Sequence, residues 1–96
     1  MKILTIGRDG TDIVLRDKSK EVSRLHAELT ITDDGSYYLV DCGSSNGTSV
    51  RVQNGWKRIK QEFVKADDQI RFGGNYTTSI RELLGEPSPA AGTRMR

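Results

Sequence analysis

Three short polar clusters carry the chemistry available to this chain: Gly7-Arg8, Ser23-Arg24-Leu25-His26 and Ser44-Ser45-Asn46-Gly47-Thr48. Their side chains are the parts of an anion receptor. A phosphate ester on a protein brings about −1.5 to −2 charges near neutral pH and three strong acceptor oxygens. It is held by guanidinium forks, hydroxyls and backbone N–H groups that converge. Arg8 and Arg24 supply forks, and Ser23 and Ser45 supply hydroxyls. Asn46 supplies an amide able both to donate and to accept, which suits a peptide main chain. Gly7 is expected to let the chain turn sharply before Arg8, and Gly47 to take the left-handed geometry that aims Asn46 outward.

Each cluster falls where a run of alternating apolar residues stops, so each is expected on a loop held by strands. Candidate strands are Lys2 to Ile6, Asp12 to Leu15, Ala27 to Thr32, Tyr37 to Asp41, Thr48 to Val52, Trp56 to Ile59, Gln69 to Phe72 and Tyr76 to Leu83. In the third, Ala27, Leu29 and Ile31 share one face and Glu28, Thr30 and Thr32 the other, as a strand buried on one side requires. Asp33-Asp34-Gly35-Ser36, Asn46-Gly47, Asn54-Gly55 and Gly73-Gly74-Asn75 supply tight reversals between them. Eight short strands with this punctuation predict an all-β fold, a two-sheet antiparallel β-sandwich with ligand-binding loops at one end. Residues 1–84 form the expected domain. From 85 to 96 small residues and proline bury too little apolar area to offset their ordering entropy, predicting a disordered tail or linker.

Bulk properties narrow the function classes. Ninety-six residues, 34% hydrophobic and 29% charged, support one modest core. A net charge of +2 falls short of the dense basic face that would by itself indicate nucleic acid. The single cysteine, Cys42, cannot form an intrachain disulfide, and with one histidine it offers no zinc spacing. No metal or cofactor is expected. No apolar run approaches the roughly 20 residues of a membrane span, and a cytoplasmic location is the simplest expectation. The sole histidine lacks a plausible nucleophile arrangement, so the chain reads as a non-enzyme.

The order Gly-Arg, Ser-Arg-x-His, Ser-Ser-Asn-Gly-Thr closely resembles the signature of the forkhead-associated domain, a β-sandwich that binds phosphothreonine peptides through its loops. Asp12-Ile13-Val14-Leu15, Tyr38-Leu39-Val40-Asp41 and Val64 to Gly73 extend the resemblance over roughly residues 1 to 84. The resemblance implies that Arg8 and Ser23 take the phosphate with Ser45 beside them and Arg24 assisting. It implies that Asn46 bonds the peptide main chain and that His26 lies beneath the loops, holding their geometry. The implied partner is a phosphothreonine-containing protein or peptide, a serine/threonine kinase or its substrate. Asp67 stands where the family commonly has glycine, and an aspartate can visit the left-handed region such a turn would ask for.

Other readings of the same residues stay open. Each cluster alone could be a solvated turn or an ordinary hairpin. Trp56 with Lys57, Arg58 and Lys60 could be a stacking platform for nucleic acid, although lysines on an edge strand more often discourage sheet-to-sheet pairing, and no nucleic-acid partner is expected. A phosphate-independent scaffold or self-association module on the same fold is the rival function.

Overall fold

The computed structural model describes residues 1–85. Its strands are β1 (Lys2–Gly7), β2 (Ile13–Val14), β3 (Ala27–Ile31), β4 (Tyr37–Asp41), β5 (Thr48–Val52), β6 (Gly55–Ile59), β7 (Gln61–Val64), β8 (Ile70–Phe72) and β9 (Tyr76–Thr78), followed by one helical turn, α1 (Ile80–Leu83). They form two layers, a five-stranded sheet ordered β2-β1-β3-β4-β7 and a four-stranded sheet ordered β6-β5-β8-β9. The alternation that predicts strands also decides what meets between the layers. Ile6, Ala27, Leu29, Leu39 and Val64 face inward from the first sheet and Val50, Ile59, Ile70 and Phe72 from the second. Removing each large apolar side chain from water contributes about 1.5–3 kcal/mol, which makes this shared layer the main source of stability.

The sandwich is as expected, with three differences of physical interest. The β1–β2 pair is parallel, with Ile6 opposite Ile13. The loop between them doubles back because the Asp12 carboxylate accepts from the Thr5 N–H at 2.9 Å and the Thr5 hydroxyl at 3.1 Å. Strand β7 has no counterpart among the expected elements. Its Gln61 and Phe63 are exposed, Phe63 by 61%, so the apolar period is hidden. The chain enters it by crossing between sheets at Lys60, whose carbonyl accepts from the Asp41 N–H at 2.7 Å.

The expected strand Tyr76 to Leu83 ends instead at Thr78. Ser79 is an extended N-cap whose hydroxyl accepts from the Glu82 N–H at 3.2 Å, and it starts α1. This is the Ser-x-x-Glu capping pattern, present in the sequence and stronger here than the β-like run around it. Ile80 is then fully buried, and Leu83 and Leu84 pack against the same core. The predicted tail, 85–96, lies outside the described residues except for Gly85.

Phe72 joins the core to the loop end. It is fully buried, and His26 meets it edge-on with ring centroids 5.4 Å apart and planes at 86°. Phe72→Ala should lower unfolding stability by about 3–5 kcal/mol in a urea titration, since the cavity beneath the imidazole cannot fully collapse.

Candidate functional site

Four loops meet at one end of the sandwich: 8–12 after β1, 15–26 after β2, 42–47 after β4 and 73–75 after β8. Polar links tie them together. The Arg8 N–H donates to the Ser23 carbonyl at 3.0 Å, and the Ser45 N–H donates to the Ser23 hydroxyl at 3.2 Å. Asn46 Nδ2 donates to the Glu21 carbonyl at 2.9 Å. The Gly73 N–H donates to the Gly47 carbonyl at 2.9 Å, and the Gly74 N–H donates to the Glu21 carboxylate at 2.7 Å. The three clusters, far apart in sequence, therefore form one rim.

Within that rim each singled-out residue has a definite place. Arg8 is half-buried and donates from Nε to the Val22 carbonyl at 3.1 Å. This bond fixes the guanidinium, and its two terminal amino groups stay without a partner among the described residues. Ser23 accepts through its oxygen and keeps its own proton available for another acceptor. Ser45 is exposed, and its hydroxyl bonds to nothing among the described residues. Asn46 uses its nitrogen within the rim, so its carbonyl oxygen is the group left available as an acceptor. Arg24 is exposed, and its backbone carbonyl lies against Gly7.

That placement explains Gly7 differently from the expected sharp turn. A Cβ on Gly7 would stand 1.7 Å from the Arg24 carbonyl oxygen, so glycine is required because two backbones touch. Gly47 does take the expected left-handed conformation, with φ +85°. The turn at Asp67 needs no such conformation, since Lys20 is the one non-glycine residue with positive φ among those described. Asp67 instead pairs with Arg81 through bonds of 2.7 and 3.2 Å, and the Arg81 guanidinium holds its carboxyl below the usual range.

Beneath the rim lies His26, with no exposed surface. Its Nδ1 accepts from the Ser23 N–H at 3.0 Å, so the proton must sit on Nε2, which donates to the Gly47 carbonyl at 2.9 Å. One neutral imidazole thus sets the spacing between the loop that carries Ser23 and the loop that carries Asn46. Asp41 shapes the second loop. Its carboxylate accepts from the Ser44 hydroxyl at 2.5 Å, the Thr48 hydroxyl at 2.7 Å and the N–H groups of Ser44 and Gly43 at 3.0 and 3.1 Å. Burial pushes its pKa up, but those bonds outweigh it and hold the group below 3.8.

Two further scaffolding residues, Asp17 and Glu21, were not among the expected site residues. Asp17 accepts from the Ser19 hydroxyl at 2.7 Å and from the N–H groups of Glu21, Val22 and Ser19 at 2.8, 3.0 and 3.1 Å. The Ser19 bond is the largest cause holding its carboxyl below 3.8. The Asp-x-Ser spacing is a recognisable local turn signal. Glu21 offered no such signal, because its partners Asn46, Gly74 and Asn75 lie far along the chain. The cations after β5 do not make a single platform. Lys57 pairs with Glu62 at 3.0 Å, while the Trp56 ring is covered by the Arg71 and Arg51 guanidiniums at 4.5 and 5.7 Å from its centroid.

Such a molecule is a two-sheet sandwich that presents its polar chemistry on converging loops. The chain belongs to the FHA domain family, whose model matches residues 4–73. The FHA domain of the CT664 protein from Chlamydia trachomatis is 35% identical with a TM-score of 0.64, over 75% of this chain and 69% of that one. The FhaA FHA domain, solved in complex with the intracellular domain of Rv3910, is 32% identical with a TM-score of 0.59, over 74% and 71% of the two chains. The MEK1 FHA domain, solved with a phosphothreonine peptide of HOP1, is 25% identical with a TM-score of 0.53, over 74% and 72%. A comparison with curated proteins gave no match. Among the described residues no helix is long and apolar enough to cross a membrane, and no group of His, Cys, Asp and Glu could hold a metal ion.

The depressed pKa of Asp41 carries a pH consequence. Folding favours its anion, so its stabilisation is fully present above the unfolded value of 3.8 and is lost as pH falls through the lower folded value. Wild-type protein should lose stability below about pH 4, and Asp41→Asn should show a shallower acid limb in thermal melts across pH. At neutral pH the same variant should be less stable by about 1–3 kcal/mol, since the donors from Ser44, Thr48 and Gly43 lose an ionised acceptor.

Proposed function

We propose that this FHA domain is a non-enzymatic signalling adaptor that binds phosphothreonine in partner proteins through its loop rim. The observation that carries the reading is the Arg8 fork, anchored through Nε to the Val22 carbonyl, with its terminal nitrogens unpaired among the described residues, on a loop joined to those of Ser23 and Ser45. Arg8 and Ser23 take the phosphate oxygens, Ser45 adds a hydroxyl, and Arg24 adds charge from the adjoining position. Asn46 accepts a peptide N–H through its carbonyl oxygen, and His26, with Gly7 and Gly47, holds the loops at the spacing the phosphate needs. The MEK1 domain's phosphothreonine peptide supports the ligand class. The FhaA complex supports a protein partner, and targets of a serine/threonine kinase or the kinase itself fit that chemistry. A nucleophilic role for Cys42 is disfavoured, because burial, with the charges of Glu28 and Asp41, pushes its thiol pKa up.

A second reading has one observation in its favour. On the outer face of the five-stranded sheet, Ile3, Thr30, Tyr38 and Phe63 form a cross-strand row, with Ile3 55% and Phe63 61% exposed. Self-association through that row would appear as concentration-dependent sedimentation without any peptide.

The main reading is tested by calorimetric titration of matched phosphorylated and unphosphorylated threonine peptides. Phosphorylated peptide should bind and its unmodified twin should not. Arg8→Ala or Ser23→Ala should each weaken binding by roughly ten- to a hundredfold, the loss of one charge-assisted hydrogen bond of about 1.5–3 kcal/mol. Equal affinity for both peptides would reject the assignment.

A further inference from the structure

Next to the rim, the long loop after β2 borders a shallow, open groove of about 350 Å³ lined by Arg8, Val14, Leu15, Arg16, Asp17, Lys18 and Lys20. Four of its lining residues are cations and one is an acid. That acid is already committed, since both Asp17 oxygens accept hydrogen bonds from its own loop. Arg16, Lys18 and Lys20 are exposed and make no ion pair among the described residues. Leu15 is fully buried beneath, so the groove has a fixed floor. Lys20 sits at φ +60°, a conformation unfavourable for a residue with a side chain and one that gathers at ligand-contacting positions. Arg8 belongs to both surfaces, to the rim through its anchored fork and to the groove as part of its lining.

We infer that this groove is a second anion subsite, which receives aspartate or glutamate side chains flanking the phosphothreonine of the bound polypeptide. The inference rests on the phosphothreonine reading of the rim and adds a selectivity to it. An extended peptide advances about 3.3 Å per residue, so a strand seated on Arg8 brings a neighbouring side chain over the groove within a few positions. Lysine ammonium groups are strongly hydrated point charges, suited to loose attraction of carboxylates rather than to bidentate readout. The open groove has room for a side chain or two. The net charge is only +2, and among the described residues the single tryptophan, Trp56, is already covered by guanidiniums, which disfavours the stacking that single-stranded nucleic acid uses.

The test uses six peptides, phosphothreonine or threonine, each with neutral flanks, with acidic residues on the N-terminal flank or with acidic residues on the C-terminal flank. Against wild type, acidic residues on one flank should tighten phosphopeptide binding roughly fivefold at low salt, an advantage that shrinks as salt is added. In the variant Arg16→Ser/Lys18→Ser/Lys20→Gly the ratio of acidic to neutral affinity should fall to near one. Glycine at position 20 keeps the positive φ, and a circular dichroism melt checks the fold. A second variant, Arg16→Glu/Lys18→Glu, should turn the preference towards lysine-flanked phosphopeptides. Equal affinity of acidic and neutral phosphopeptides on both flanks would overturn the groove while leaving the rim reading intact. An acidic preference that survives in both variants would also overturn it, as would displacement of the acidic peptide by short single-stranded DNA that binds through these residues. If phosphorylation makes no difference but the acidic preference depends on the three cations, the groove stands and the rim reading falls.

Discussion

A single buried imidazole sets the geometry on which the rim depends. His26 is shut off from water, so neither of its ring nitrogens can exchange a protein partner for a solvent one. One must accept and the other donate, and the structure provides one N–H and one carbonyl, from Ser23 and Gly47. The distance between these two loops is therefore held by a rigid ring, which itself rests edge-on against Phe72 in the core. Precision at the rim is inherited from packing between the sheets, and a flexible side chain in the same place would not transmit it.

Around that ring, charges are divided by function. The acids Asp17, Asp41 and Glu21 are turned towards backbone N–H groups of the loops, where ionised acceptors make strong hydrogen bonds. The cations at the rim and groove are left largely without protein partners. Anions stabilise the loops, and the cations left unpaired among the described residues stay available at the same end. Elsewhere the opposite arrangement holds, with Lys57 on Glu62 and Arg81 on Asp67 pairing cations away from the rim.

Much of the fold was legible because strands with one buried face must alternate. Ala27 and Leu29, or Ile70 and Phe72, are buried as their spacing requires. Legibility failed where burial and period part company. The strand β7 exposes its phenylalanine and looks polar, and the end of the expected last strand turns helical because the Ser79 hydroxyl caps the Glu82 N–H locally. Gly7 shows a subtler failure. Glycine is needed there not for the expected turn but because the Arg24 backbone approaches it, from a loop that no local reading can place beside it.

The order of residues determined the inventory: two forks, two hydroxyls, an amide and a histidine, each on a loop because the flanking segments can only be strands. It also determined the left-handed bend at Gly47, a property of a few consecutive residues. Tertiary structure alone decided which of those groups remain available. Asn46 has given its N–H to Glu21, Arg8 has given Nε to Val22, and Asp17 is absorbed by its own loop, leaving a cationic groove beside Arg8. Sequence specifies which donors and acceptors exist, but their pairing depends on distances between loops, and those distances are set by how the two sheets pack.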